Sequence, residues 1–250
     1  MREWILLYTI KMKNKYILGF FIGLLDGNGS IQVNHWKKRY LQYRIVIKLK
    51  WDEAEANKKM LEEISKIVGG KVIREGHSIL WVENNINRIK QIINIFDNFS
   101  PLTTRLLCQI YFMKSCMEHN NVEKYFNTRD NKYDNRDIFK PIGDIKQLNY
   151  WNAWISGFIE AEGCFSIRKN EKLSFSVGQK YDRYLLAEIC NYFNLKCSVS
   201  QIENFYSIET YSKESLNFLI NHIRIYPLMG EKSINFIKFL NIYNNKCRVV

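Results

Sequence analysis

Tyr16-Ile17-Leu18-Gly19-Phe20-Phe21-Ile22-Gly23-Leu24-Leu25-Asp26-Gly27-Asn28-Gly29-Ser30-Ile31 decides the fold, because the chain repeats it as Trp151-Asn152-Ala153-Trp154-Ile155-Ser156-Gly157-Phe158-Ile159-Glu160-Ala161-Glu162-Gly163-Cys164-Phe165. Each copy is an apolar helical run that ends in an acid, a small residue, a polar residue and Gly, and then passes into a strand. The offset is constant: Gly157 and Gly23, Glu160 and Asp26, Glu162 and Asn28, and Gly163 and Gly29 are each 134 positions apart. Such matched register is the signature of a tandem duplication. One position breaks it, for Asn28 stands where its counterpart is the carboxylate Glu162.

The rest of the chain is consistent with two halves. At 250 residues it can bury two ordinary cores, and 46% hydrophobic with 14% aromatic residues describes a folded protein rather than a disordered one. The 37 Lys and Arg against 25 Asp and Glu give a net charge of +12, which implies an anionic partner, nucleic acid or an anionic membrane. No segment supplies the roughly 18 to 20 apolar residues of a bilayer span, so nucleic acid is favoured and a membrane is not expected. Trp4 to Ile10 is apolar but short, and a basic stretch from Lys11 to Lys15 follows it without a small-residue cleavage site. It is read as a translated leader or a packed N-terminal arm. The six cysteines contain no C-x-x-C pair and the four histidines no ligand spacing, so neither a zinc site nor a disulfide framework is expected, and the compartment is reducing.

Alternation places strands at Ser30 to Lys37 and Tyr40 to Lys50 around the basic turn Lys37-Lys38-Arg39, with Leu41, Tyr43, Ile45, Ile47 and Leu49 on one face. A helix over Asp52 to Val68 ends at Gly69-Gly70, a hairpin spans Lys71 to Glu75 and Ser78 to Glu83, and helical stretches follow at Asn85 to Phe96 and Leu102 to Met117. The second half repeats the order: strands Glu162 to Lys169 and Lys172 to Gln179, helix Arg183 to Phe193, strands Lys196 to Ile202 and Phe205 to Thr210, helices Lys213 to His222 and Glu231 to Tyr243. Glu123 to Asn149 is polar and without apolar period, and is expected to be the linker. The fold class is therefore α+β, with two pseudo-symmetric αββαββα halves, 1–122 and 149–250, joined by 123–148. The two antiparallel sheets are expected to form a saddle.

Gly19 and Gly23, and Ala153 and Gly157, put small residues four apart on each repeated helix, a spacing that lets two backbones approach closely. Packed side by side, the helices bring Asn28 and Glu162 together. Helix C-termini carry partial negative charge, and oxygen ligands gathered there suit Mg2+, Ca2+ or Mn2+.

Phe21-Ile22-Gly23-Leu24-Leu25-Asp26-Gly27-Asn28-Gly29 and Ile155-Ser156-Gly157-Phe158-Ile159-Glu160-Ala161-Glu162-Gly163 resemble the two motifs of a monomeric LAGLIDADG homing endonuclease of the organelle intron-encoded type. The resemblance implies site-specific cleavage of a long, nearly palindromic DNA duplex by a monomer, with Mg2+ or Mn2+ between the motif acids and Ca2+ as a non-cleaving substitute. Carried over residue by residue, it puts the metal at Glu162 and Asn28, with the Gly27 and Ala161 carbonyls as helpers. It also implies basic groups beside the active site at Arg105 and Lys232, and water-holding groups at Lys50 and Gln179. The family expects Asp or Glu where this chain has Asn28; an amide is nearly isosteric but brings no charge. The expectation is a protein that folds and binds its target but cleaves weakly or on one strand only.

Strand parity puts Gln32, Asn34, Trp36, Lys38, Gln42, Arg44, Lys48 and Lys50 on the outer face of the first sheet, with Arg39 at its turn. Ser166, Arg168, Asn170, Lys172, Ser174 and Ser176 take that face in the second, and Lys71, Arg74, Ser198, Ser200 and Gln201 extend the surface. Gln, Asn and Arg can pair with base edges, whereas Lys more often meets phosphate. Two other readings stay open: a maturase that binds its host intron RNA, and a sequence-specific DNA binder without catalysis. Low Pro with abundant Asn, Lys, Ile and Tyr points to an AT-rich genome, such as a fungal mitochondrion, with the chloroplast as the alternative.

Overall fold

The computed structural model describes residues 2–140 and 143–248, with side chains for 12–245 apart from 141, 142 and 170. The first half runs α1 (Arg2–Asn28), β1 (Gly29–Trp36), β2 (Tyr40–Lys50), α2 (Ala56–Val68), β3 (Lys71–Glu75), β4 (Ser78–Glu83), α3 (Ile86–Asn98) and α4 (Thr104–His119). After α5 (Val122–Thr128), the second half runs α6 (Trp151–Glu162), β5 (Cys164–Ile167), β6 (Leu173–Lys180), α7 (Arg183–Tyr192), β7 (Ser200–Ile202), β8 (Phe205–Thr210), α8 (Lys213–Ile225) and α9 (Glu231–Arg248). Each half thus closes with two helices rather than the one of an αββαββα unit. The apolar Trp4 to Ile10 stretch has helical backbone within α1, and its side chains lie outside the described residues.

The repeated helices are the hinge of the architecture. A Cβ on Gly23 would fall 2.0 Å from the Trp154 carbonyl oxygen, and one on Gly157 would fall 2.0 Å from that of Phe20. Backbones this close tolerate no side chain between them, which is why glycine occupies both positions. The stripe continues: Gly19 meets the Ala153 methyl and Gly27 meets that of Ala161, so like faces like along the whole contact. Around it Phe20, Phe21, Leu24, Trp154 and Phe158 are fully buried. Removing each from water contributes on the order of 2 kcal/mol.

Both sheets are antiparallel and have the same topology, β1-β2-β4-β3 and β5-β6-β8-β7. Leu41, Ile45, Ile47 and Leu49 turn inward as alternation requires, while Tyr40, Gln42, Lys48 and Lys50 are exposed on the other face. That outer face is not wholly polar, since Val46, Leu80 and Val82 form a small buried cluster of their own. The α2 helix starts later than the sequence suggests because Asp52 caps it, its carboxylate accepting from the Ala56 and Asn57 amides at 2.9 and 3.0 Å. Gly70, at φ 85°, ends the turn after α2 against the face of Trp81, where a Cβ would lie 2.6 Å from the indole.

The connecting segment departs from the linker expectation. It contains α5 and short 3-10 turns at Arg136–Phe139 and Ile145–Gln147. Aromatic contacts fold it back on the first half: Tyr125 and Phe126 pack on His35, and Tyr111 on Phe139. Polar composition hid this because a few well-spaced aromatics are enough to anchor a short segment.

Candidate active site

The first acid of each repeat is structural. Asp26 is fully buried and accepts from the Leu102 amide (2.7 Å), the Thr103 amide (2.9 Å), the Thr103 hydroxyl (2.5 Å) and the Trp154 indole (2.7 Å). Glu160 does the same for α9, accepting from the Met229, Gly230 and Lys232 amides at 3.1, 3.0 and 2.9 Å. Burial raises the pKa of both carboxyls, against the pull of these donors. Neither acid was assigned a role from sequence, although a carboxylate at matched register in an apolar helix is the signal that could have found them. The effect is to lock the starts of α4 and α9, the helices that carry Arg105 and Lys232, onto the ends of α1 and α6.

Those two basic residues are held symmetrically. The Arg105 guanidinium donates to the carbonyls of Gly29 (2.5 Å), Asp26 (2.6 Å) and Gly27 (3.2 Å). The Lys232 ammonium donates to Ala161 (3.2 Å) and to Gly163, which stand 134 positions after Gly27 and Gly29. Each cation thereby satisfies the open carbonyls of a helix C-terminus, where partial negative charge gathers. Both are largely buried, and desolvation lowers the pKa of each, with Glu162 among the groups that raise it again.

Glu162, the second acid of the second repeat, sits between them. Its Oε1 lies 3.3 Å from where a Gly27 Cβ would be, beside Asn28. Burial raises its pKa, while Lys232 and Arg105 pull it down. Asn28 is half-buried at the end of α1 and adds an amide where a second carboxylate would complete the pair. The donor set is all oxygen: one carboxylate, one amide and the Gly27 and Ala161 carbonyls, which suits a hard divalent cation. With a single negative charge it fits one such ion on the Glu162 side and lacks the anionic half of a symmetric clamp. Among the described residues no three His, Cys, Asp or Glu gather as a metal cluster.

The two water-holding candidates separate. Lys50 pairs with Ser78 and is exposed on the outer face. The matching pair in the second sheet is Lys180 with Phe205, so Lys180 and not Gln179 is its counterpart. Gln179 is buried on the core-facing parity, and its amide points to Asp182 at 3.5 Å. The second hairpin is shorter, so the offset between the halves falls from 134 to 130, and Gln179 misses the counterpart position by one residue, enough to turn a side chain through the sheet.

Most of the outward candidates lie where parity puts them. Gln32 and Arg44 pair across β1 and β2, as do Asn34 and Gln42, with Trp36 and Lys48 further along the same face. Lys38 and Arg39 are exposed in the turn, and Lys38 rests over the Phe126 ring. The Arg44 Nε is buried without a hydrogen-bond partner. In the second half Ser166 and Ser176 face outward, Arg168 pairs with Glu209 at 2.8 Å, and Lys172 lies 4.6 Å from the Tyr211 ring centre. The side chain of Asn170 lies outside the described residues.

Three expectations need correction. Ser174 has outward parity but is fully buried, on the face that carries the Arg168–Glu209 pair. Arg74 pairs with Ile79 and Gln201 with Tyr206, both on the core-facing parity, opposite Lys71 and Ser200. Arg74 instead stacks on Trp51, 4.1 Å from its centre, and Gln201 donates to the Glu203 carbonyl. Ser198 is exposed but precedes β7, which is only three residues long.

Among the described residues no helix is long and apolar enough to cross a membrane. The family model for LAGLIDADG endonucleases matches residues 21–116 and 155–243, one match in each half. A probable intron-encoded endonuclease aI3 of Dictyostelium citrinum is 40% identical over 240 residues, covering 93% of this chain and 98% of its own. Among solved structures, the I-LtrWI homing endonuclease bound to target DNA superposes with a TM-score of 0.72 at 21% identity, covering 92% of this chain and 90% of its own. I-SmaMI, bound to an uncleaved DNA target in the presence of calcium ions, superposes with a TM-score of 0.66 at 14% identity, covering 93% of each chain.

Proposed function

The chain belongs to the LAGLIDADG endonuclease family, whose members cleave DNA with divalent metal, and from that premise we propose that it binds a long duplex site and cuts it weakly. One observation carries the reading. Glu162 stands between Lys232 and Arg105 where two motif helices end, and two sheets flank that point with outward Gln, Asn, Arg and Lys. The reading treats 1–122 and 149–250 as half-saddles on one DNA duplex, with 123–148 between them, and places the chain's origin in an organelle intron.

Each residue has a definite task in this proposal. Glu162, Asn28 and the carbonyls of Gly27 and Ala161 would hold one divalent ion, Mg2+ or Mn2+ for cutting, which when bound supplies Lewis acidity at the phosphate. Lys232 and Arg105 set positive charge against the charge that develops on the phosphate oxygens, from positions fixed by backbone carbonyls. Lys50 and Lys180 reach the phosphodiester from the outer faces and orient water there. Gln32, Asn34, Gln42, Arg44, Ser166 and Ser176 contact base edges. Asn28 fills the volume of an acid without its charge, so folding and recognition persist while cutting falls.

The test is selection of cleaved ends from a randomised duplex library incubated with Mg2+, using the unmodified chain and its Asn28→Asp variant. Recovery of one defined site by the variant, with slower or single-strand cutting by the unmodified chain, supports the proposal. Equal double-strand rates from both proteins refute the role given to Asn28. Failure of both to retain any duplex refutes the reading as a whole.

A further inference from the structure

The two sides of the active site are unequal, and the difference comes from the connecting segment. On the Glu162 side a cavity of about 280 Å³ has Arg105, Arg136, Glu162, Gln179, Lys180 and Tyr181 in its lining. Arg136 belongs to neither repeat; it opens the 3-10 turn Arg136–Phe139. Its guanidinium lies 4.1 Å from the centre of the Tyr181 ring and donates through Nε to the Thr104 hydroxyl at 2.5 Å. Its Nη2 is 3.9 Å from the buried Asp182 carboxylate. Arg136 lines that cavity, and among the described residues the one hydrogen bond its guanidinium makes is through Nε.

The opposite side is built differently. There Asn57 stands in for Asp182, its amide oxygen accepting from Glu231 at 3.0 Å as Asp182 accepts from the Thr104 amide at 3.2 Å. The cavity beside Lys50 has Lys238 and Glu231 in its lining but no arginine, and neither Asn28 nor Lys232 reaches it. A planar guanidinium held over an aromatic ring in the wall of a cavity, beside Arg105 and Lys180, is a phosphate-binding arrangement. We propose that Arg136, supplied by the connecting segment, is a phosphate-contacting residue on the Glu162 side alone, so that one of the two DNA strands is gripped more firmly than the other at the point of cutting.

The inference rests on the duplex-binding reading, and binding measurements separate the two. Affinity for a mixed-sequence duplex is measured across a salt series in Ca2+, for the unmodified chain and for Arg136→Ala, Arg136→Gln and Arg136→Lys. Losing one phosphate contact lowers the slope of log affinity against log salt by about one. Arg136→Ala and Arg136→Gln are expected to show that loss, and Arg136→Lys to retain the slope. Gln can keep the bond to Thr104, so it serves if Ala fails to fold.

A residue that merely neutralises Asp182 would behave otherwise. In the Asp182→Asn background that need is gone, and Arg136→Gln should still lower the slope by about one. An unchanged slope in either background overturns the proposal. Absence of salt-dependent binding by the unmodified chain overturns the duplex-binding reading and this inference with it.

Discussion

Asp26→Asn should cost this protein far more stability than its small chemical change suggests. Oδ1 of Asp26 accepts from the Thr103 amide and hydroxyl, and Oδ2 from the Leu102 amide and the Trp154 indole, all at full burial. An amide NH2 turned toward Thr103 can be met by the Thr103 hydroxyl, which reverses to accept, so only the Thr103 amide is stranded; turned the other way it faces two obligate donors, the Leu102 amide and the Trp154 indole. The favoured orientation therefore strands one buried N–H, at about 2 kcal/mol. In a chain of this size that lowers Tm by about 4–8 °C. Because α4 begins at these amides, Arg105 would also leave the Asp26, Gly27 and Gly29 carbonyls. Urea and thermal unfolding measure the loss, with Glu162→Gln as the control. Among the described residues Glu162 accepts from no helix amide, so its amide variant should unfold within about 0.5 kcal/mol of the parent. A loss under about 1 kcal/mol for Asp26→Asn, or an equal loss for Glu162→Gln, would refute the division between a structural first acid and a chemical second one.

Gly157→Ala should separate the motif helices, since its methyl would meet the Phe20 carbonyl at 2.0 Å; an overpacking loss of about 3 kcal/mol is expected, and a fully stable variant would contradict the packing. Burial lowers the His222 pKa from 6.5 to about 4, so the unfolded chain binds the extra proton first. Stability should be complete above pH 6.5 and fall by about 3 kcal/mol as pH drops toward 4. His222→Gln should flatten that limb in pH-dependent denaturation, and an unaltered slope would show that the Ser156–His222–Tyr192 network is not its source. Lys180→Ala should reduce the salt dependence of duplex binding by about one unit whereas Gln179→Ala should not; the reverse result would invert the register of β6.

Much of this protein was legible in its sequence because duplication writes the same physics twice. The constant offset identified the motif helices, the glycine spacing their contact, and alternation the strands: β2, β3, β4 and β8 begin and end where their patterns do. The position of Asn28 opposite Glu162 also followed from register alone. The net charge of +12 implied an anionic partner.

What sequence could not supply were contacts between residues distant in the chain. Asp26 and Glu160 have no readable role in the sequence until α4 and α9 are brought to them, more than 65 residues later, and they become caps. A second hairpin four residues shorter than the first hid the counterpart of Lys50, which is Lys180 rather than Gln179, and edge strands too short to show a period misplaced Arg74 and Gln201. Arg136 lies in a polar stretch with no pattern at all, and only the fold-back of that segment sets it beside Glu162. Local periodicity is fixed by backbone geometry and can be read along a line. The partner of a buried carboxylate or a guanidinium is fixed by which helix end arrives there, and that is settled only when the two halves close on each other.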